Sequence, residues 1–407
     1  MKILFVADGR SPIAQNWIRY FAKRERGDDI YLASTFDCDV DFPIKRLEFT
    51  PVAFSELKKK NSPPASGSTM MPGSAQALSL RTHVRRWLGP LTIPQSAKKL
   101  RALIQEVQPD IIHAMRVPYE GMLTASALTG GLDTSGNGTR STRPPRFVVS
   151  IWGNDFTLQA SSTPLMSYYT RKTMKAADAL HADCERDIRL ALTWGLGLDK
   201  PTLVAPGNGG IRSEIFYPPT EPVTSPVIIN PRGFRAYVKN EAFFKSIPLV
   251  LAKRSDARFV CSSMQGEPQA LQWMKELKIE HAVQLNPPFL HAQMGDVFRA
   301  AQIVVSPSTH DGTPNSLLEG MACGCFPIAG DLESIREWIT HGQNGLLVDP
   351  NSPQSIADAI LVALEREDLR RKAAGLNAEI ISARAEYGRN MEKAVEFYRL
   401  VVDNPKG

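Results

Sequence analysis

Within the 407-residue chain, the stretch Ile303–Asp331, IVVSPSTHDGTPNSLLEGMACGCFPIAGD, gathers residue types suited to holding an anion. It reads as strand, loop, helix, small-residue turn and strand. The Thr313 hydroxyl is placed to cap the helix, and Pro314 suits the first helical position. The helix is expected over Asn315–Met321 and ends near Gly324. Its first turn leaves the amides of Asn315, Ser316 and Leu317 without helical partners. The helix dipole adds roughly half a positive charge there, which favours a phosphate. Glu319 lies one turn in, where its carboxylate can accept two hydrogen bonds from a ribose diol. Asp311 precedes Glu319 by eight residues. The same residues also describe an ordinary strand-to-helix turn with a capping threonine and a solvated glutamate.

These residues must be positioned by a scaffold, and the chain spells one out. Short apolar runs recur at Ile3–Ala7, Asp29–Ala33, Asp110–Ala114, Phe147–Ile151 and Leu203–Ala205. They resume at Val227–Asn230, Arg258–Cys261, Val283–Leu285, Ile303–Ser306, Phe326–Ala329 and Gly345–Val348. Most are continuous rather than alternating, as in strands buried on both faces of a parallel sheet. Helical patterns separate them, which predicts an α/β fold of βαβ units. The proline-rich stretch YPPTEPVTSP at 217–226 breaks the pattern and marks a linker. It predicts an N-terminal domain over 1–218 and a C-terminal domain over 224–385. Residues 61–76 and 129–143, rich in Ser, Gly, Pro and Thr, read as loop insertions. Met391, Val395, Tyr398 and Val402 form one apolar stripe, so the chain is expected to end in an amphipathic helix.

Composition removes several classes. The net charge of +6 equals the six cations of the acid-free segment 81–101: Arg81, Arg85, Arg86, Lys98, Lys99 and Arg101. No broad basic face with interleaved aromatics is evident, so a nucleic-acid partner is not expected. Five cysteines without a CxxC pair or zinc spacing point to a reducing compartment and to no metal site. No run approaches the ~18–20 apolar residues that span a bilayer, and a cytoplasmic protein is expected.

The 306–331 block resembles the signature of GT-B glycosyltransferases of family GT4: two acids spaced E-x7-E, then a run like EAMACG-x-P-V-I-A. Asp311 stands where the first glutamate would be. GQNGLLVDP at 342–350 and APGNGGIRSEIFYPP at 205–219 are similar to further family motifs, with weaker matches at PDIIHAM (109–115), SIWGNDF (150–156) and NPRGF (230–234). The resemblance implies two Rossmann-like, doubly wound parallel-sheet domains facing a cleft. The final helix, about 386–407, would return to the N-terminal domain. It implies retaining transfer from a nucleotide-diphosphate sugar, UDP rather than GDP, without metal or other cofactor. The acceptor would be a glycan or a lipid-linked saccharide, in polysaccharide synthesis. Carried over by motif, Glu319 would bind the donor ribose and Asp311 the transferred sugar. Thr313, Pro314, Asn315 and Ser316 would line the diphosphate or sugar. Arg232 would neutralise the departing diphosphate, with Lys239 as its partner and Arg235 as a rival. Gly9 and Arg10 would face ligand from the first loop. Trp152 stands where many members carry a histidine; with its neighbours Asn154 and Asp155 it would supply the sugar contacts. His113 reads as a buried supporting histidine. Other readings are a non-catalytic nucleotide-sugar-binding subunit or a GT-B sugar-nucleotide epimerase.

Leu80, Val84, Trp87 and Leu88 share one helical face, and Leu100, Leu103, Ile104 and Val107 form a second stripe. Both stripes are expected to cover the core. The alternative is peripheral contact of 80–104 with anionic lipid on the inner face of the cell membrane, with Trp87 as anchor.

Overall fold

The computed structural model describes residues 1–24, 27–57, 83–130 and 144–404. The expected insertion 61–76 and nearly all of 129–143 lie outside them, as do Leu80 and Arg81. The chain forms two compact units. One holds the described residues up to Gly209 and those from Arg389 onward; the other is Gly210–Gly388.

The first unit is built on seven parallel strands in the order β3-β2-β1-β4-β5-β6-β7. They are β1 Lys2–Ala7, β2 Asp29–Ser34, β3 Arg46–Phe49, β4 Ile111–Ala114, β5 Arg146–Ile151, β6 Ala179–Ala182 and β7 Thr202–Val204. The second unit has six parallel strands in the order β10-β9-β8-β11-β12-β13. These are β8 Val227–Asn230, β9 Arg258–Cys261, β10 Val283–Leu285, β11 Ile303–Ser306, β12 Phe326–Gly330 and β13 Leu346–Val348. Every strand expected from the apolar runs forms, with its ends within one residue of the expectation. Burial explains the signal: Ile3–Ala7 and Ile303–Val305 are wholly inaccessible. Two strands carry no such signal. β3, RLEF, is a half-exposed edge strand with alternating charge. β6, ALHA, is fully buried but sets a single leucine among two alanines and a histidine, too short an apolar run to mark a strand.

The final helix spans Tyr387–Asp403 and buries Met391, Ala394, Val395, Phe397, Tyr398 and Val401. Its stripe ends at Val401 rather than the expected Val402. The helix belongs to the first unit, where Tyr398 stacks on Phe21 at 4.7 Å.

Tyr398 also ends a buried polar relay whose direction is set by its far end. His181 Nε2 lies 3.0 Å from the Ala205 carbonyl, which only accepts, so Nε2 carries the proton. His181 Nδ1 therefore accepts from Ser150 Oγ at 2.8 Å. Ser150 Oγ in turn accepts from His113 Nε2 at 2.7 Å. His113 Nδ1 accepts from the Tyr398 hydroxyl, and Trp17 Nε1 donates to Tyr398 at 3.1 Å. Each histidine is thereby held neutral in one tautomer. Burial holds His181 down to about 4 and His113 well below the usual imidazole range. The relay crosses β4, β5 and β6 and ties the last helix to the sheet.

In the second unit, the two segments of chain at its limits run side by side. Ile211 N donates to Ala385 O at 2.6 Å and Tyr387 N to Ile211 O at 3.0 Å.

Candidate donor and acceptor sites

In the second unit the residues singled out by motif converge at the C-terminal ends of β8 and β11. Arg232 Nη2 donates to Asp311 Oδ2 at 2.5 Å, and Nη1 donates to Ser316 Oγ at 3.3 Å. Three residues from two distant segments thus form one cluster, and Arg232 is almost buried within it. The loop after β8 is shaped for this. Asn230 Oδ1 accepts from Arg232 N at 3.1 Å, Asn230 Nδ2 donates to Asn240 Oδ1 at 3.0 Å, and Asn240 Nδ2 donates to Gly233 O at 2.8 Å. Gly233 sits at φ +61°, a left-handed turn that favours glycine. Neither asparagine stood out in the sequence, because a buried asparagine bracing a loop has no spacing signature.

Lys239 is the N-cap of the helix Asn240–Leu251. Its amide donates to Pro307 O at 2.8 Å, and Thr309 N donates to Tyr237 O at 2.8 Å. These bonds pin residues 237–239 to the exit of β11, on the loop that leads to Asp311. Arg235 instead reaches Tyr237 Oη at 3.1 Å.

The helix Asn315–Ala322 departs from the expected cap. Pro314 is the N-cap, and no side chain caps the helix. The Thr313 hydroxyl instead accepts from the buried Trp338 Nε1 at 2.9 Å, since an indole N–H inside the core needs an acceptor. The Leu317 amide, expected to be open, donates to Pro314 O at 2.9 Å. The first-turn donors that remain are the amides of Asn315 and Ser316. Two polar atoms beside them, Arg232 Nε and Asn315 Oδ1, are buried without a hydrogen-bond partner. Glu319 is buried, and His291 Nε2 donates to its Oε1 at 2.9 Å. His291 opens the helix His291–Arg299 and is half-exposed. No pattern in the sequence marked it.

In the first unit, Gly9 follows β1 and is packed tightly. A Cβ there would lie 2.3 Å from Cys38 Sγ and 2.8 Å from Ser34 Oγ. Ser34 Oγ also lies 3.1 Å from the Gly9 amide that donates to it. The glycine is thus required by packing within the unit. Arg10 is paired in two places with Asp8, at 3.0 and 2.9 Å.

Asp155 is completely buried. Its Oδ1 accepts from Arg116 Nε at 3.0 Å and Nη2 at 2.5 Å, and its Oδ2 accepts from the Val117 and Trp152 amides at 3.3 and 3.2 Å. Its carboxylate braces the loop after β5, where a direct contact with sugar was expected. Arg116, its partner, was not recognised from the sequence. Trp152 presents an indole Nε1 that is buried without a partner.

Asp183, Cys184 and Asp187 gather after β6 with ligand atoms within 4.8 Å. Arg186 Nη2 donates to Asp187 Oδ1 at 2.9 Å, and Cys184 Sγ donates to Asp187 Oδ2 at 3.3 Å. Burial and the flanking aspartates push the Cys184 thiol far above its usual range, so it acts as a hydrogen-bond donor.

Val84, Trp87 and Leu88 do not cover the core. Trp87 is 56% exposed and the following Leu91 is 62% exposed. The second stripe, Leu100, Leu103, Ile104 and Val107, is buried as expected. No described helix is long and apolar enough to cross a membrane.

Comparison with known proteins places this architecture. Residues 227–366 match the family described as glycosyl transferases group 1, and residues 52–183 match the glycosyl transferase 4-like family. A D-inositol 3-phosphate glycosyltransferase of Xylanimonas cellulosilytica is 25% identical over 52% of this chain and 54% of its own. The chain spans about half or less of the length of the curated relatives it matches. Sucrose-phosphate synthase from Thermosynechococcus elongatus superposes with a TM-score of 0.70 at 14% identity, covering 98% of this chain and 99% of that one. An Anabaena protein solved with UDP-glucose gives a TM-score of 0.69 at 14% identity, covering 97% and 98%.

Proposed function

The chain belongs to the GT4-type, group 1 glycosyltransferases and has the GT-B fold, and from that premise we propose that it transfers a sugar from a nucleotide-diphosphate sugar, UDP-linked, to a glycan or lipid-linked saccharide. The observation that carries this reading is the Arg232–Asp311–Ser316 cluster at the start of a helix whose next turn holds Glu319. In it, a nearly buried guanidinium keeps one N–H without an acceptor beside two open amides.

Glu319, oriented by His291, accepts the hydroxyls of the donor ribose. The diphosphate meets Arg232, the amides of Asn315 and Ser316, and Lys239. As the bond from the anomeric carbon to the diphosphate oxygen breaks, negative charge grows on the leaving group, and these cations and amides stabilise it. The acceptor oxygen bonds to the same face of that carbon, and its proton passes to the leaving phosphate oxygen. Configuration is retained, and neither a metal ion nor an enzymic base is called for. Asp311 holds Arg232 in place and faces the sugar hydroxyls. Trp152 supplies an indole N–H on the acceptor side, where it donates a hydrogen bond but cannot take a proton at neutral pH. Gly9 and Arg10 shape the first loop of that unit.

The test is a thermal-shift screen of UDP, GDP and their sugars, followed by transfer assays on the best ligand. Stabilisation by UDP compounds and turnover that disappears in Glu319→Ala and Arg232→Ala support the reading. Stabilisation without turnover on any acceptor favours a non-catalytic nucleotide-sugar-binding subunit, and interconversion of the free donor favours an epimerase.

The exposed Val84, Trp87, Leu88 and Leu91, with Lys98 and Lys99 nearby in sequence, support peripheral contact with anionic lipid. Flotation with anionic liposomes at low salt tests it, and absence of binding rejects it.

A further inference from the structure

The first unit holds a half-buried cation with which no carboxylate of the described residues pairs. Arg85 lies in the helical segment 83–88, and its guanidinium turns inward. It sits 4.6 Å from the ring centroid of Tyr119 and 5.5 Å from that of Phe36, both buried rings. Its Nε–H is buried and meets no acceptor, and among the described residues no carboxylate pairs with it. A buried N–H of a charged group left without a partner costs more than that of a neutral one.

The neighbouring groups do not close the gap. Arg10 lies 3.6 Å from the same Phe36 ring, and it already takes both oxygens of Asp8. Arg116 takes Asp155. Glu120 is buried and accepts from Thr35 Oγ1 at 2.8 Å rather than pairing with Arg85. Burial raises it to about 7, so near neutral pH it carries only part of a charge. Two guanidiniums therefore share one aromatic ring, and among the described residues Asp8 is paired with Arg10 and not with Arg85.

The place in the fold points the same way. Arg10 follows β1, Phe36 follows β2 and Tyr119 follows β4. The sheet order β2-β1-β4 reverses the direction of chain progress between β1 and β4. In open α/β sheets, that switch point at the C-terminal ends of the strands is where ligands bind. A guanidinium backed by aromatic rings presents its N–H fork in a fixed direction, matched to two oxygens of a phosphate.

We propose that Arg85, backed by Phe36 and Tyr119, binds a phosphate ester carried by the acceptor substrate. Its role in transfer rests on the reading above; the binding itself does not. The phosphate comes from a soluble ester or from a lipid headgroup, and the experiment separates the two. The full chain is titrated calorimetrically with glycerol 3-phosphate, glycerate and UDP, and is sedimented with phosphatidylcholine vesicles with and without phosphatidylglycerol.

Arg85→Gln is expected to weaken glycerol 3-phosphate binding by about tenfold or more. Arg85→Lys, which keeps the charge and loses the fork, should fall between. UDP affinity should stay within about twofold in both, since that site lies in the other unit. Loss confined to the soluble ester identifies that source, and loss of vesicle sedimentation identifies the headgroup. Circular dichroism melts check that each variant is folded. The proposal is overturned if neither phosphate form binds the native chain, if Arg85→Gln binds both as the native chain does, or if glycerate binds as tightly as the phosphate. A chain that binds glycerol 3-phosphate through Arg85 but not UDP would sink the donor reading and leave this one standing.

Discussion

Acid should loosen the first unit through the relay that ends at Tyr398. His181 is fully buried, and its neutral form is required by the Ala205 carbonyl at one nitrogen and the Ser150 hydroxyl at the other. Its value falls from about 6.5 in the unfolded chain to about 4 in the fold. A depressed histidine means that the unfolded chain binds more protons between those two values. Stability is therefore fully present above pH 6.5, falls as pH drops, and is wholly lost below about 4. A shift of about 2.5 units at 1.36 kcal/mol each is worth about 3 kcal/mol, and about 2 to 3 kcal/mol of it should be gone by pH 4.5. His113, depressed for the same reason, adds to the loss. Urea unfolding followed by circular dichroism at pH 7 and pH 4.5, for the native chain and for His181→Gln, isolates the contribution. Carboxylates titrate in both proteins and cancel in the difference. The variant should be less stable at pH 7 and should lose less on acidification. Parallel losses in the two proteins would refute the reasoning.

Other outcomes follow from particular contacts. Tyr398→Phe removes the hydroxyl that joins Trp17 to His113 and should cost about 1–3 kcal/mol, read as a lower urea midpoint. Asp155→Ala removes the carboxylate paired with Arg116 and the acceptor of two backbone amides. A loss of about 3–5 kcal/mol is expected, visible as a large drop in melting temperature. Gly9→Ala forces a methyl onto Cys38 Sγ, and about 1–3 kcal/mol should be lost, with partial recovery in Gly9→Ala/Cys38→Ala. Thr313→Val strands the Trp338 indole N–H and should lower stability by about 1–3 kcal/mol without changing the charge of the site.

Strand identity was legible where burial on both faces is met by an uninterrupted run of large apolar residues, as in Ile3–Ala7 and Ile303–Val305. β3 escaped because its edge position lets charged residues alternate, and β6 escaped because close packing there is met by alanine. The residues of the Arg232–Asp311–Ser316 cluster that lie after β11 stood out because a helix start there needs turn formers, amides and acids at fixed offsets. Their partners did not. His291, Trp338, Asn230 and Asn240 act through single contacts across 6 to 28 residues or more, and no periodicity records such contacts. Thr313 shows the limit most directly. Locally it reads as a cap, yet a buried indole from residues later in the chain claims its hydroxyl.

The sequence by itself determined the two parallel-sheet units, the amphipathic last helix and the chemical types in the loop after β11. Each follows from local spacing and from the demand that apolar runs be buried. The tertiary structure decided how the charges are partnered. It set Arg232 against Asp311, gave Asp155 to Arg116, ordered the protons of His113 and His181, and set Arg85 against two rings with no carboxylate of the described residues paired to it. Pairing depends on which side chains meet after the strands are laid in order, and the order β3-β2-β1-β4 brings together residues far apart in the chain.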